Sequence, residues 1–174
     1  IVNNYIVNPG EAAVHYILVS AEWKKRDWVT GKLAVVGNVI EFGNNTKPTI
    51  SVGAFNGPVE VFWKDNILND GTHVKELSGT YTPLVSPPFW PEGLSVKPAA
   101  DVKESVIINA GAFPWERDEI DKRIIAEILS GTGKIIDSEN EVGGYPISEP
   151  VYRKFEAEKW NLNTLTRKDT NQTK

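Results

Sequence analysis

The feature that most constrains this chain is a motif met three times. Asn4-Tyr5-Ile6, Asn38-Val39-Ile40 and Asn66-Ile67-Leu68 each set an Asn directly before two apolar or aromatic residues, with two aliphatic or aromatic positions shortly upstream. The spacings of 34 and 28 residues fit irregular turns of a repeat in which each unit stacks on the next. In such a stack an Asn at one fixed place can bond the backbone and side-chain amides of its neighbours, which predicts a buried polar ladder. The alternative is that Asn recurs because turns accept it in the left-handed region.

The segments carrying the motif are strand-like. The runs 1–7, 13–20, 33–42 and 59–68 are enriched in Val, Ile, Phe, Tyr and Trp and bounded by turn residues such as Asn8-Pro9-Gly10, Gly43-Asn44-Asn45 and Asn69-Asp70-Gly71. Residues 71–98 hold Pro83, Pro87, Pro88, Pro91 and Pro98 around Phe89 and Trp90. This segment reads as an extended connector with no regular strand or helix. After Pro98 the pattern turns helical. Val102, Val106 and Ile107 or Ile108 share a side and Gly111 is a stop. Ile120, Ile124, Ile125 and Ile128 predict a second helix over about 118–129, with acids in its first turn and Gly131 after it. From about Arg153 onward the chain is polar, with Phe155, Trp160, Leu162 and Leu165 as its sizeable apolar residues, and reads as a strap that frays at 170–174. The expected class is mainly β, a right-handed parallel β-helix. Residues 1–70 would be its C-terminal coils, 71–98 the connector, and 99–174 a tail of two short helices and an irregular strap packed on the β-helix.

The composition is that of a folded, turn-rich protein, with 40% hydrophobic and 24% charged residues, 14 Gly and 11 Pro. A formal charge of −4 gives no global attraction to nucleic acid or anionic membranes, so neither is an expected partner and any polyanion must be held locally. The lack of cysteine removes a disulfide framework, a thiolate metal site and a cysteine nucleophile. These residues hold no apolar run of about 18 and no charged-then-apolar leader, so neither a membrane span nor a signal peptide is read in them. The chain opens at Ile1 inside an apolar run, and the expectation is a cut through something longer.

Four stretches carry a resemblance. They are Asn109-Ala110-Gly111-Ala112, the segment from Arg117-Asp118 through Asp121 and Arg123 to Ile124, Ser130-Gly131-Thr132-Gly133-Lys134-Ile135-Ile136-Asp137-Ser138, and Glu141-Val142-Gly143-Gly144-Tyr145-Pro146. Together they resemble the tail of bacterial pectate lyase-like proteins. Val2-Asn3-Asn4-Tyr5 followed by Asn8-Pro9-Gly10-Glu11-Ala12 is similar to the coil that follows the catalytic stretch in that family, with Asn8 where the family has Lys and Glu11 where it has Pro. The resemblance implies a secreted or periplasmic lyase that cleaves an acidic polysaccharide by β-elimination. It implies calcium, held by Asp and Glu, to neutralise the uronate carboxylate, and an Arg as base. In the family's order those residues precede the opening coil, so catalytic and metal residues are expected outside this chain, on a missing N-terminal part of the same protein.

Among the residues present, Trp23-Lys24-Lys25-Arg26-Asp27-Trp28 combines three cations with two aromatics. That mixture suits an anionic sugar chain, the cations meeting carboxylates and the ring faces meeting sugar C–H surfaces. The bland alternative is a solvated turn whose Trp residues cover an edge. His15 lies in a strand run and is a further candidate to face a groove, against the reading of an ordinary exposed His; His73 has less claim. The two histidines have no partner at metal-binding spacing. Ser130-Gly131-Thr132-Gly133-Lys134 imitates a phosphate loop, but the helix precedes the glycines, which makes it a helix cap. Arg117, Asp118, Asp121 and Arg123 read as helix-start residues with structural duties. Ser20, Ser51 and Ser78 lack a hydrolase context, and Glu60, Asp65 and Asp70 lack an EF-hand spacing. Two functions follow. One is the C-terminal portion of a calcium-dependent polysaccharide lyase, inactive alone; the other is a non-catalytic module that binds acidic glycans or caps a larger protein.

Overall fold

The computed structural model describes residues 1–47, 50–68, 77–147, 149, 152 and 154–168. It comprises two units, Ile1–Ile135 and Ile136–Lys174. The turn at 69–71, His73, Asp70 and the end at 170–174 lie outside the described residues.

In the first unit the chain visits three parallel sheets in rotation. Strands β1 (Tyr5–Val7), β4 (Val39–Glu41) and β7 (Ile67–Leu68) form one; β2 (Ala12–Ile17), β5 (Ser51–Asn56) and β8 (Leu77–Gly79) a second; β3 (Gly31–Val36), β6 (Val59–Lys64) and β9 (Thr82–Pro83) the third. Tyr5 lies opposite Val39 and Val39 opposite Ile67, so the three Asn motifs are in register. Apolar residues from successive strands meet inside. Val14, Val35, Phe55, Val59 and Val61 form one buried cluster, and Ile40 and Val52 another, with the half-buried Trp63 packed against both.

Between β3 and β4, and between β6 and β7, a corner interrupts what the sequence presents as one apolar run. Gly37 (φ 64°) and Asp65 (φ 51°) turn the chain through the left-handed region directly before Asn38 and Asn66, and Asn3 (φ 53°) does the same before Asn4. Asn4 donates its backbone N–H (2.9 Å) and its side-chain amide (3.1 Å) to Asn38 Oδ1. Asn38 repeats both bonds to Asn66 Oδ1, at 3.0 and 2.8 Å. Asn66 Nδ2 ends the series on the Val35 carbonyl at 3.0 Å. Asn38 and Asn66 are 0% and 1% exposed, so these bonds satisfy groups that water does not reach.

The expected mainly β, right-handed parallel β-helix is corrected. Strand makes up 27% and helix 22% of the described residues, and the parallel strands form short triplets in three separate sheets with no closed solenoid among the described residues. Residues with positive φ end several of the strands, Asn8 after β1, Gly37 after β3, Gly57 after β5 and Asp65 after β6, so no strand runs beyond six residues. Helix formers dominate after Pro98, and the expectation gave too much weight to the β-branched runs of the first seventy residues. The Pro-rich connector also differs, since β8 and β9 lie inside it and extend two of the sheets.

Helix α1 (Ser20–Trp23) is a single turn between β2 and β3. A 3-10 turn at Ala99–Asp101 leads into α2 (Val102–Asn109), which buries Ala99 and Val102. Helix α3 (Glu119–Ser130) is capped at its start by Asp118, whose side chain accepts the Asp121 N–H, and at its end by left-handed Gly131. The Arg117 guanidinium donates to the carbonyls of Ile107 (2.6 Å), Ile108 (3.2 Å) and Ala110 (3.1 Å), the unpaired C-terminal end of α2. The second unit holds a 3-10 turn at Glu139–Val142, closed by a Ser138/Glu141 capping box, and the hairpin of β10 (Trp160–Asn161) and β11 (Thr166–Arg167). No helix among the described residues is long and apolar enough to cross a membrane.

Candidate functional site

The three sheets are joined at one corner by links of very different length. Gly57 and Pro58 alone connect β5 to β6, and Thr80 and Tyr81 connect β8 to β9, whereas residues 18–30 connect β2 to β3. Both ends of this long loop are pinned to the short link beside it. The Leu18 N–H donates to the Asn56 carbonyl at 2.8 Å and the Gly31 N–H to the Pro58 carbonyl at 2.9 Å. The stack therefore does not need residues 19–29 to close its corner, and these are the residues that carry the cation and aromatic cluster.

Within the loop the structure brings Trp23 and Arg26 together. The Arg26 guanidinium sits 5.5 Å from the Trp23 ring centre and reaches the Glu22 and Trp23 carbonyls at 3.4 Å each. Arg26 is thus partly engaged in ending α1 and covering Trp23. Lys24 stands at the left-handed corner (φ 56°) that ends the helix, and Lys24, Lys25 and Trp28 are exposed. The surface offers two lysines, a half-covered indole and the open Trp28 ring, 47% exposed.

His15 is exposed on β2, in register with Ala54 and, one strand further, Ser78. Ile17 follows on the same outward face and leads into the loop. On the other side of His15, Glu11 pairs with Lys47, and the hydrogen bond from Lys47 holds its carboxyl below the ordinary carboxylate range, with the charges of Lys47 and His15 adding to it. The outward edge of β2 thus runs from an ion pair through His15 to the Trp23–Trp28 loop.

A comparison with family models gives no match, and none arises among curated proteins or solved structures at a significant level. Among the described residues no three His, Cys, Asp or Glu side chains converge on one point. Glu60 lies 4.0 Å from Lys32, and Asp65 Oδ2 accepts the Ala99 N–H at 3.0 Å. Ser20 opens α1, Ser51 opens β5, and Ser78 lies in β8. The tail motif residues have structural partners: Arg117 and Asp118 cap α2 and α3, and Arg123 pairs with Glu127 at 2.8 Å. The Gly131 and Gly133 carbonyls accept from Asn44 Nδ2, which ties the imitation phosphate loop to the 43–47 turn.

Sequence reasoning missed a groove over the third sheet. Val36, Phe62 and Lys64 share its outward face, and the Pro-rich segment returns over them with Pro87, Trp90 and Val96 to enclose about 510 Å³. The signal was the run of prolines around Trp90, which cannot pair as strand and must lie on something.

Proposed function

We propose that this chain is the C-terminal portion of a pectate lyase-like enzyme acting on an acidic polysaccharide, and that its own residues bind the polymer while the acid–base and calcium residues lie outside it. The observation that supports this reading is the Trp23–Trp28 loop. It is an insertion the stack does not require, it presents Lys24, Lys25 and the Trp28 ring to solvent, and its base is fixed by two backbone bonds. Cations spaced among ring faces are the complement of a uronate chain, which alternates carboxylates with C–H surfaces. The tail and coil motifs resembling that family support the same reading. His15 lies beyond the loop on the same outward edge and would meet the next part of the polymer.

The test follows unsaturated uronate absorbance from polygalacturonate with calcium, for the chain alone, for a chelated control, and for the chain joined to its native upstream segment. The expected result is product from the joined protein only, and weaker polymer binding when Lys24 and Lys25 are changed to Gln. Saturable binding without product in any combination would favour the non-catalytic glycan-binding module. Neither binding nor product would overturn both.

A further inference from the structure

We infer that the groove between the third sheet and the Pro-rich segment is a second binding site, and that it takes a carboxylate-bearing sugar ring. The identity of the ligand rests on the reading above; the existence of the site does not. Val36, Phe62 and Lys64 project from the face opposite the buried Val35, Val61 and Trp63 face of β3 and β6. Pro87, Trp90, Val96, Lys97 and Pro98 close the other side. The groove lies at the Val36 end of β3, and the Trp23–Trp28 loop enters at the Gly31 end, ~17 Å away along the strand. The two sites are separate.

The walls are set before any ligand arrives. The Trp90 indole N–H donates to the Leu94 carbonyl at 3.1 Å, which fixes the ring in the groove wall. Lys97 is held through its backbone, its N–H donating to Asn3 Oδ1 at 2.8 Å and its carbonyl accepting from Asn3 Nδ2 at 2.9 Å. Asp65 Oδ2 accepts the Ala99 N–H, so its carboxylate is engaged in starting the 3-10 turn. Neither the Lys64 nor the Lys97 ammonium pairs with an acid among the described residues. Lys64, Lys97 and Asp65 border a cleft whose body is aromatic and aliphatic, of the volume usual for small-ligand sites, so its two cations exceed its one acid. A bare anion would leave Phe62, Trp90 and Val96 against water, and an apolar ring would leave the excess positive charge of Lys64 and Lys97 over Asp65 unanswered. A ring bearing a carboxylate satisfies both.

The experiment follows the amide and indole NMR signals of the isotopically labelled chain as tri-galacturonate is added. The expected result is a saturable shift of the Trp90 indole N–H and of the Lys64 and Lys97 amides. Lys64→Gln or Lys97→Gln should weaken it about fivefold, while Lys24→Gln with Lys25→Gln should leave it unchanged. Shifts confined to residues 19–29 would overturn the groove and leave the proposed function standing. A Trp90 shift in a chain that yields no uronate product when joined to its upstream segment would keep the groove and overturn the lyase reading. Both lysines are exposed, and the dispersion of each variant's amide spectrum checks that it is folded, so loss of binding reads the site and not the stability of the chain.

Discussion

The Asn38 side chain accepts from Asn4 through its oxygen and donates to Asn66 Oδ1 through its nitrogen, at 2.8 Å, with both Asn38 and Asn66 shut off from solvent. The same side chain thus completes the corner before it and the corner after it. Replacing Asn38 with Ala leaves the Asn4 N–H without its acceptor and deprives Asn66 Oδ1 of one of its two donors. The expected loss is about 2–3 kcal/mol, read as a lower urea midpoint with an unchanged slope. A midpoint equal to that of the parent chain would mean that the ladder carries no net stability.

Gly37 shares the corner with Asn38. Its φ of 64° is unfavourable for any side chain, and a Cβ there would lie 2.6 Å from Asn3 Nδ2 and 3.1 Å from the Lys97 carbonyl. Gly37→Ala should cost at least ~1–2 kcal/mol from the backbone alone. It should also loosen the Asn3–Lys97 bonds, visible as faster amide exchange at Lys97.

Tyr5, Glu41 and Lys103 join β1, β4 and α2. The Tyr5 hydroxyl and the Lys103 ammonium both donate to Glu41 Oε2 at 2.6 Å. Burial pushes the Glu41 carboxyl up, but the bonds from Lys103 and Tyr5 outweigh it and hold the group below its usual 4.5. Burial and the bond to Glu41 raise Tyr5 from 10.0 to about 12. Glu41 therefore contributes stability that is present above pH 4.5 and lost as pH falls through its folded value. Tyr5 contributes stability that is full below pH 10.0 and lost as pH rises towards about 12. A titration of urea midpoint against pH should show both limbs. Glu41→Gln should lower the pH at which the Tyr5 phenolate forms, measured by its ultraviolet absorbance, and an unchanged Tyr5 titration would refute the coupling.

Arg117 closes the end of α2 with three carbonyl bonds. Arg117→Ala should destabilise the chain by about 1–2 kcal/mol, and Arg117→Lys should recover only part of that, since an ammonium lacks the flat fork. Thermal unfolding of the two variants beside the parent measures this directly.

The parts of this fold legible in the sequence are those where one residue type does one local job. Asn4, Asn38 and Asn66 could be aligned because the same corner needs the same amide, and Gly131 marked the end of α3 because a left-handed cap has few alternatives. Strand β5 was not legible. Gly53 at its centre argues against a strand, yet in the fold the Leu77 side chain of β8 and the Phe55 ring fill the space beside it, and a Cβ there would lie 2.6 Å from Leu77 Cδ2. The site divides in the same way. The cations of the 23–28 loop are contiguous and were visible, but the use of Arg26 to end α1 is a matter of geometry. Phe62, Lys64, Trp90 and Lys97 are scattered, and only the return of the Pro-rich segment gathers them.

The corner pinned by Leu18 and Gly31 has a consequence for how this surface can vary. Because Asn56 and Pro58 already hold the two ends of the loop, the segment between them behaves as an insert in a socket. Doubling its length would cost only ~0.6 kcal/mol of closure entropy. Residues 19–29 can thus change in length and character while the sheets beneath keep their register.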